Sequence, residues 1–393
     1  MMVTSLPAPG LTVVLPCLNE VDSVAGCVQE AFAGLRAAGI NGEVVCADNG
    51  STDGTLEQAV GAGARVVQVS RRGYGSAIRG GLKESGTDWI LIADADGSYD
   101  LTMIPHFVAQ LRQGAKLVQG CRLPAGGGRI ERGAMPWPHR WIGNPLLSWL
   151  IRRWFHSGIA DVHCGMRAFS KSAMEDLDLR CTGMEFASEM IIKAAMYHVP
   201  TAQVPITLRR DRRVHGRRHL RTFRDGWRHL RFMLLLCPMQ LFTVPGILLL
   251  TFGLLAYVLA LPRQVVGGVR FDVGTLLVGS LAAVAGVQAL LFGMLARTFS
   301  ERVGLRPAAR HGSHAAPGAH RLEYTLLAAA VMAIAGSILI LRAVRMWMAV
   351  DYGDLNYAIS LRQLIPGTML VTLALQAGLS SFLLSLIELP WQA

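Results

Sequence analysis

Two carboxylates, Asp94 and Asp96, stand one residue apart behind a run of five apolar residues, Trp89 to Ala93. The run suits a buried strand, and a strand that stops in Asp-Ala-Asp delivers both acids at its carboxyl end, where open α/β sheets bind ligands. Two hard oxygen donors so close together suit a divalent ion, Mg²⁺ or Mn²⁺, which takes one or two carboxylates along with substrate phosphates. The competing reading is a solvated turn, because Asp and Gly are ordinary turn residues.

Elements that could position these acids precede and follow them. Strand patterns at Leu11–Leu15, Glu43–Ala47, Arg65–Val69, Trp89–Ala93 and Lys116–Gln119 alternate with helical ones, such as Val24, Val28, Phe32 and Leu35 at spacings of three and four. That alternation predicts an α/β domain with a mostly parallel sheet and right-handed crossovers. Pro16 is expected to stop the first strand. The polar run Asp48 to Gly54 predicts a turn in which Thr52 or Asp53 caps the next helix. Gly73, Gly75, Gly80 and Gly81 fall in or near the third helix, where the first two could let backbone approach a ligand.

The ordered segments LTVVLPCLNE, CADNGSTDGT, RRGYGSAIRGG and ADADGSYD resemble an inverting family-2 glycosyltransferase with the glycosyltransferase A (Rossmann-like) fold. The branch most resembled makes polyprenyl-phosphate sugars and is dolichyl-phosphate-mannose-synthase-like, and the likeness covers roughly residues 10 to 232. The resemblance implies roles position by position. Pro16, Asn19 and Glu20 match the segment lining the nucleoside pocket. Asp48 matches the first acid of a pair that holds the base, the second being Asn49 here. Arg72, Gly73 and Gly75 match the stretch beside the nucleotide, and Asp94 and Asp96 the metal and diphosphate motif, with Ser98 at a third metal position where some relatives carry Gln. Chemistry agrees with these residue types. A nucleotide-sugar, UDP- or GDP-linked, departs as a nucleoside diphosphate, and a cation held by Asp94 and Asp96 offsets the charge that grows there.

Residues 122–144 are rich in Gly, Pro and Arg with no lasting period, which predicts a mobile loop over the site. An amphipathic helix is expected at Ser148–Phe155. The segment DVHCGMRAF resembles a family motif whose leading acid is Asp161 and whose Arg is Arg167. A lipid phosphate acceptor is already an anion, so it needs cations rather than a base. Arg122, Arg140, Arg167 and Arg209 are candidates, since guanidinium forks match phosphate oxygens, and His163 could join them. The rival mechanism uses Glu185 as a base.

After residue 232 the chain turns apolar, and the whole is 52% hydrophobic with net charge +11. Residues 219–236 carry Leu220, Phe223, Trp227, Leu230 and Leu234 on one side and arginines on the others, an interfacial amphipathic pattern. Apolar runs near 239–261, 273–296, 325–348 and 366–388 are each ~20 residues or slightly more, enough to cross a bilayer. The expected domains are a tail at 1–10, a glycosyltransferase domain at 11–218, the interfacial helix at 219–236 and a four-helix membrane domain at 237–393. Arg302, Arg306, Arg310 and Arg321 between the second and third runs place that loop and the catalytic domain in the cytosol, at a cell inner membrane. Ten arginines lie between Arg209 and Arg231, but next to membrane spans they read as lipid-facing, so no nucleic-acid partner is expected. Seven cysteines form no CxxC pair and suit reduced thiols, and the start of the chain lacks the pattern of a signal peptide. No ionisable residue sits in the middle of a run, which argues against ion-coupled transport. Two other readings stay open, with a homo-oligomer open for any of them. One is a processive polysaccharide synthase, a class marked by a QxxRW motif absent here. The other is a non-enzymatic membrane scaffold or flippase, which the intact acid pair argues against.

Overall fold

A computed structural model describes residues 10–212, 222–262, 265–307, 319–354 and 356–389. Residues 1–9 of the tail expected at 1–10, Arg310 and the stretch 213–221 of the arginine block lie outside the described residues. The chain divides into two units, Met1–Met233 and Leu234–Ala393.

In the first unit the apolar run of β1 (Leu11–Cys17) is buried along almost its whole length, as befits a strand covered on both faces. It continues through Pro16 rather than stopping at Leu15. The reason lies in the pairing. Leu11 N–H faces Asn41 O on one side and Val14 O faces Ala93 N–H on the other, so the missing N–H of Pro16 falls on the second side. There β1 pairs only from Leu11 to Val14, and no ladder bond is lost at Pro16. Helix α1 (Val24–Ala37) leads to β2 (Gly42–Asp48), α2 (Thr55–Gly61) to β3 (Arg65–Gln68), and α3 (Tyr74–Lys83) to β4 (Trp89–Ile92). Then come α4 (Ile104–Arg112), β5 (Leu117–Cys121), β6 (Arg129–Ile130), α5 (Asn144–Phe155), β7 (Arg167–Ser170), α6 (Lys171–Glu175), α7 (Phe186–Met196), β8 (Thr201–Pro205) and β9 (Thr207–Leu208).

Seven strands form one sheet in the order β3-β2-β1-β4-β7-β5-β8. All are parallel except β7, which runs antiparallel between β4 and β5. The chain leaves β1 toward β2 on one side and later returns to β4 on the other. This reversal opens a crevice beyond the carboxyl ends of β1 and β4, the place where such sheets take ligands. Register does the rest. Cys17 aligns with Asp48, and Ile92 pairs with Arg167, so the start of β7 sits beside the end of β4. The core beneath holds Val13, Leu15, Val44, Leu91, Phe107 and Val118, all buried.

Residues 122–144, expected as a loop, contain a short strand and a helical turn. β6 pairs with β9, Ile130 against Leu208, and Tyr99 bridges to Leu208. A π-helical turn at His139–Gly143 runs into α5.

Helix α8 (Thr222–Leu236) straddles the division between the units. The second unit holds α9 (Val244–Ala260), a hairpin of β10 (Val265–Val266) and β11 (Val269–Arg270), then α10 (Val273–Arg302), α11 (Ala319–Met348) and α12 (Tyr357–Glu388). Four helical stretches, Met239–Ala260, Val273–Arg302, Leu322–Met348 and Tyr357–Glu388, are long and apolar enough to span a bilayer. Helix α10 outruns the expected end at 296, because Arg297 and Glu301 pair one turn apart at 2.9 Å and carry the helix into polar sequence. Small residues set the packing. A Cβ at Gly253 of α9 would lie 2.6 Å from Gly279 O of α10, and one at Gly336 of α11 equally close to Gly367 O of α12. Without a hydrophobic drive in lipid, such close backbone approach is what associates helices. Arginines satisfy the carbonyls at helix ends: Arg362 donates to Ala260 O and Leu261 O, Arg306 to Leu236 O, and Arg302 to Glu388 O.

Candidate active site

The acid pair lies at the crevice, on the loop that ends β4. Ala95 between the acids is buried, and its carbonyl accepts from Ser23 Oγ at 2.7 Å and Cys27 Sγ at 3.4 Å. Asp96 Oδ1 accepts from Ser98 N at 2.9 Å. The backbone of residues beyond β9 closes the loop, Arg212 N to Asp96 O at 2.9 Å and Arg209 N to Ser98 O at 2.8 Å. The half-buried Tyr74 phenol hydrogen-bonds to Asp94; desolvation and the Asp94 charge push its pKa up, so it keeps its proton and donates. Gly165 matters here because a Cβ would come within 2.6 Å of Asp94 Oδ2. The loop geometry is therefore fixed by the protein itself.

On the nucleotide side, Asn19 adopts φ 57° and is tied to the turn after β2: its N–H donates to Ser51 Oγ and its Oδ1 accepts from Thr52 N, both at 2.9 Å. Glu20 is buried, its N–H bonded to Thr55 Oγ1 at 2.8 Å, and Pro16 is half-buried at the end of β1. Asp48 is buried too, and both of its oxygens accept backbone N–H groups of its own turn, from Gly50 at 3.0 Å and Ser51 at 3.1 and 3.2 Å. Its visible work is shaping the turn. The helix after the turn starts at Thr55 with Gly54 in the capping position, yet Asp53 still satisfies Thr55 N at 3.1 Å.

Asn49, which stands where the resembled family has an acid, has a clear role. Its Nδ2 donates to Val69 O at 3.0 Å and Arg71 O at 2.9 Å, and its Oδ1 accepts from Gly73 N at 2.6 Å. An aspartate could not make the two donations. The side chain thus clamps the glycine-rich stretch against β2. Arg72 is exposed, lies over Gly50 and meets no carboxylate among the described residues. Gly73 and Gly75 make a close approach, but to the chain's own segment: Cβ atoms there would sit 2.2 Å from Thr182 O and 2.6 Å from Cys181 O. That segment is held by buried Glu189, which accepts from Arg180 N and Cys181 N and pairs with Lys193 at 3.0 Å.

Four of the five cationic side chains expected at an acceptor phosphate are engaged elsewhere. Arg122 is buried and forks onto Asp161, Nε to Oδ2 at 2.8 Å and Nη2 to Oδ1 at 2.9 Å, while its own N–H adds a third bond at 3.0 Å. Burial would raise the Asp161 pKa, but the guanidinium and these bonds outweigh it and hold the carboxyl below its ordinary value. Arg167, also buried, donates to Cys164 O at 2.6 Å and Ala187 O at 3.1 Å, fastening the segment before β7 to α7. Arg209 pairs with Glu30 at 3.3 Å and with Asp100. His163 Nε2 lies 3.3 Å from Ser188 Oγ, which also meets His229 Nδ1 at 2.8 Å, and the two rings stand edge to face at 4.7 Å. Desolvation and the facing His229 lower the His163 pKa, so the ring is neutral near pH 7. Arg140 differs. It stacks on Trp141 at 5.3 Å and meets no carboxylate among the described residues. Glu185, just before α7, buries an Oε2 that has no hydrogen-bond partner among the described residues.

These residues fit a divalent ion of one kind. Among the described residues no cluster of three or more His, Cys, Asp or Glu could cage a metal. Two adjacent carboxylates on a fixed loop suit a hard cation that completes its shell with diphosphate oxygens and water, as Mg²⁺ does. The bonds that fix Ser98 are made by its backbone, which leaves its hydroxyl available to an ion that Asp94 and Asp96 would hold. Sequence reasoning missed Tyr74, Ser23, Gly165 and Tyr99, whose Oη accepts from Gly165 N at 2.8 Å, as supports. Tyr74, Tyr99 and Gly165 lie inside the motifs RRGYGS, ADADGSYD and DVHCGMRAF, and Ser23 lies outside any motif singled out.

Comparison with known proteins agrees with this architecture. Residues 12–178 match the profile described as Glycosyl transferase family 2, and residues 294–388 match the Glycosyltransferase family 2 C-terminal transmembrane region. The chain is 41% identical over 297 residues to the low-salt glycan biosynthesis hexosyltransferase Agl6 of Haloferax volcanii, covering 75% of this chain and 70% of that protein. It is 30% identical over 202 residues to a dolichyl-phosphate hexose transferase of the same organism, covering 51% of this chain and 82% of the relative. Among solved structures, glucosyl-3-phosphoglycerate synthase from Mycobacterium tuberculosis superposes with a TM-score of 0.46 at 22% identity, over 58% of this chain and 80% of that one.

Proposed function

Because this chain belongs to glycosyltransferase family 2 and is a multi-pass membrane glycosyltransferase, we propose that it moves a hexose, with inversion, from a nucleotide-sugar to a polyprenyl phosphate. The observation that carries the reading is the acid pair at the crevice between β1 and β4, wired in place by Ser23, Tyr74 and Ser98. The names of the two relatives support the hexose and the lipid-phosphate acceptor.

In this reading the nucleoside of a UDP- or GDP-sugar lies between Pro16–Glu20 and the turn shaped by Asp48. Arg72 meets the nucleotide phosphates, and Asp94 and Asp96 hold Mg²⁺ or Mn²⁺. Such an ion supplies charge stabilisation to the departing diphosphate. An oxygen of the lipid phosphate attacks the anomeric carbon opposite the leaving group. The new C–O bond forms as the bond to the diphosphate breaks, and the electron pair leaves with the nucleoside diphosphate. No proton has to be removed, so Glu185 is not needed as a base. Arg140 is the arginine assigned to the incoming phosphate. Arg122, Arg167 and Arg209 act one step back, holding Asp161, α7 and the Asp96–Ser98 loop. The catalytic unit faces the cytosol at a cell inner membrane, on the strength of Arg302, which ends α10, and Arg306 just beyond it.

The test uses full-length protein in detergent with Mn²⁺, labelled UDP- and GDP-hexoses and undecaprenyl phosphate. A labelled chloroform-soluble product that depends on the lipid is expected. An insoluble labelled polymer would replace the reading with processive synthesis, and transfer that ignores the lipid would remove the polyprenyl acceptor.

A further inference from the structure

Helix α8 turns a polar side chain into the interior. His229 and Met233, one turn apart, are buried, while Trp227 and Arg228 beside them are exposed. A buried imidazole needs a hydrogen-bond partner, and this one finds it on another helix. Nδ1 of His229 lies 2.8 Å from Ser188 Oγ of α7. The same hydroxyl lies 3.3 Å from Nε2 of His163, and the two rings stand edge to face at 4.7 Å. Ser188 is fully buried, and its hydroxyl carries one proton. It donates to one ring and accepts from the other, so at least one ring has to be neutral, as the desolvated His163 is near pH 7. Arg122 and Arg167 add positive charge around His163, with Asp161 opposing them.

His163 belongs to the stretch Asp161 to Gly165, which runs toward β7 without a helix or strand of its own. Side chains set its shape in place of a ladder. Asp161 takes the fork of Arg122, Cys164 O accepts from Gln119 Nε2 at 2.9 Å and from Arg167 at 2.6 Å, and Gly165 N donates to Tyr99 Oη at 2.8 Å. The His163 ring ties the stretch to α7 and α8 instead. At the end of the stretch Gly165 backs the acid pair, where a Cβ would come within 2.6 Å of Asp94 Oδ2.

We infer that His229 is a positioning residue for the acid pair: through Ser188 and His163 it holds the stretch Asp161 to Gly165, and with it the wall against which Asp94 sits. The inference rests on the role proposed for Asp94 and adds to it a residue on α8, the helix that runs on into the second unit. His229 touches no substrate and acts by fixing shape. A carboxylate that binds a cation depends on the packing behind it, because a loop free to shift loses the geometry the ion needs.

The test compares Ser188→Ala, His229→Ala and His229→Asn with wild type, each as full-length protein in detergent at one pH. An asparagine amide places a polar atom as many bonds from Cα as Nδ1 stood, so it can renew the contact with Ser188. Hydrogen exchange is read by mass spectrometry in metal-free protein, with buried Phe107 and its neighbours in α4 as the reference. Manganese affinity and steady-state transfer are then measured. In both alanine variants exchange at Asp161–Arg167 should quicken several-fold with α4 unchanged, and Mn²⁺ affinity should weaken about tenfold, the low end for a residue behind a metal ligand. Their kcat should fall while KM for the lipid phosphate holds, and His229→Asn should restore all of these. Unchanged exchange at Asp161–Arg167 would overturn the inference. So would exchange that quickens equally in α4, which is general loosening, or quickened exchange with wild-type Mn²⁺ affinity. His229→Asn as impaired as His229→Ala would overturn it too. Wild-type protein that binds Mn²⁺ and transfers no sugar would strike the proposed reaction alone, since exchange and affinity are read without turnover.

Discussion

Arg122 offers the sharpest test of how far charge in this sequence serves structure rather than substrate. Its partner Asp161 is fully buried and accepts three bonds from Arg122, all between 2.8 and 3.0 Å. Asp161→Ala removes the carboxylate and leaves a guanidinium in a buried site whose other side-chain hydrogen bond among the described residues is a long one to Tyr99 Oη, at 3.5 Å. Stranding one member of a buried pair costs about 3–5 kcal/mol. For a unit of some 200 residues that corresponds to a fall of roughly 10 °C in the unfolding midpoint. The double variant Arg122→Met with Asp161→Leu replaces both charges by apolar groups and should recover most of that loss, because the desolvation cost goes with the charges. The assay is thermal unfolding of purified protein at one heating rate and pH, for wild type, the single and the double variant. A single variant within about 2 °C of wild type, a shift below about 1 kcal/mol, would refute the structural role. So would a double variant no more stable than the single one.

Three other outcomes are expected. Asn49→Asp turns two hydrogen-bond donations toward Val69 O and Arg71 O into repulsions, and should raise the donor KM about tenfold, the 1.4 kcal/mol of one unmade bond; an unchanged KM would free the glycine-rich stretch from this clamp. Gly165→Ala sets a methyl against Asp94 Oδ2 and should lower kcat and Mn²⁺ affinity together while the protein stays folded; unchanged Mn²⁺ affinity would show that Asp94 does not need this space. His163 has a folded pKa below its unfolded one, so below about pH 6.5 the unfolded chain takes up a proton that the folded chain refuses. Stability should then fall as pH drops from 7 toward 5, by at most about 1.4 kcal/mol per pH unit, and His163→Phe should flatten that slope; an equal slope in the variant would contradict it.

Much of the frame was legible because it rests on local pattern. The run Trp89 to Ala93 followed by two acids announced a buried strand and the site at its end, and β4 ends at Ile92. The four spans were readable from length and apolarity alone. What the sequence concealed was pairing across distance. β7, only four residues long, joins β4 and β5 from beyond a helix, and no local period marks it. Free and paired arginines look alike in a sequence, so Arg122 was indistinguishable from Arg140 until its bond to Asp161, 39 residues away, was seen. The same holds for Asn49, which stands at the place of the family's second acid and whose amide supplies two donors that an acid lacks.

The acid pair itself is tested most directly by diffraction from crystals grown with a nucleotide-sugar and Mn²⁺, using the anomalous signal of manganese. The account predicts one strong peak between Asp94 and Asp96 that touches the diphosphate and vanishes in Asp96→Ala. A peak away from both carboxylates, or a bound diphosphate with no manganese beside it, would contradict it.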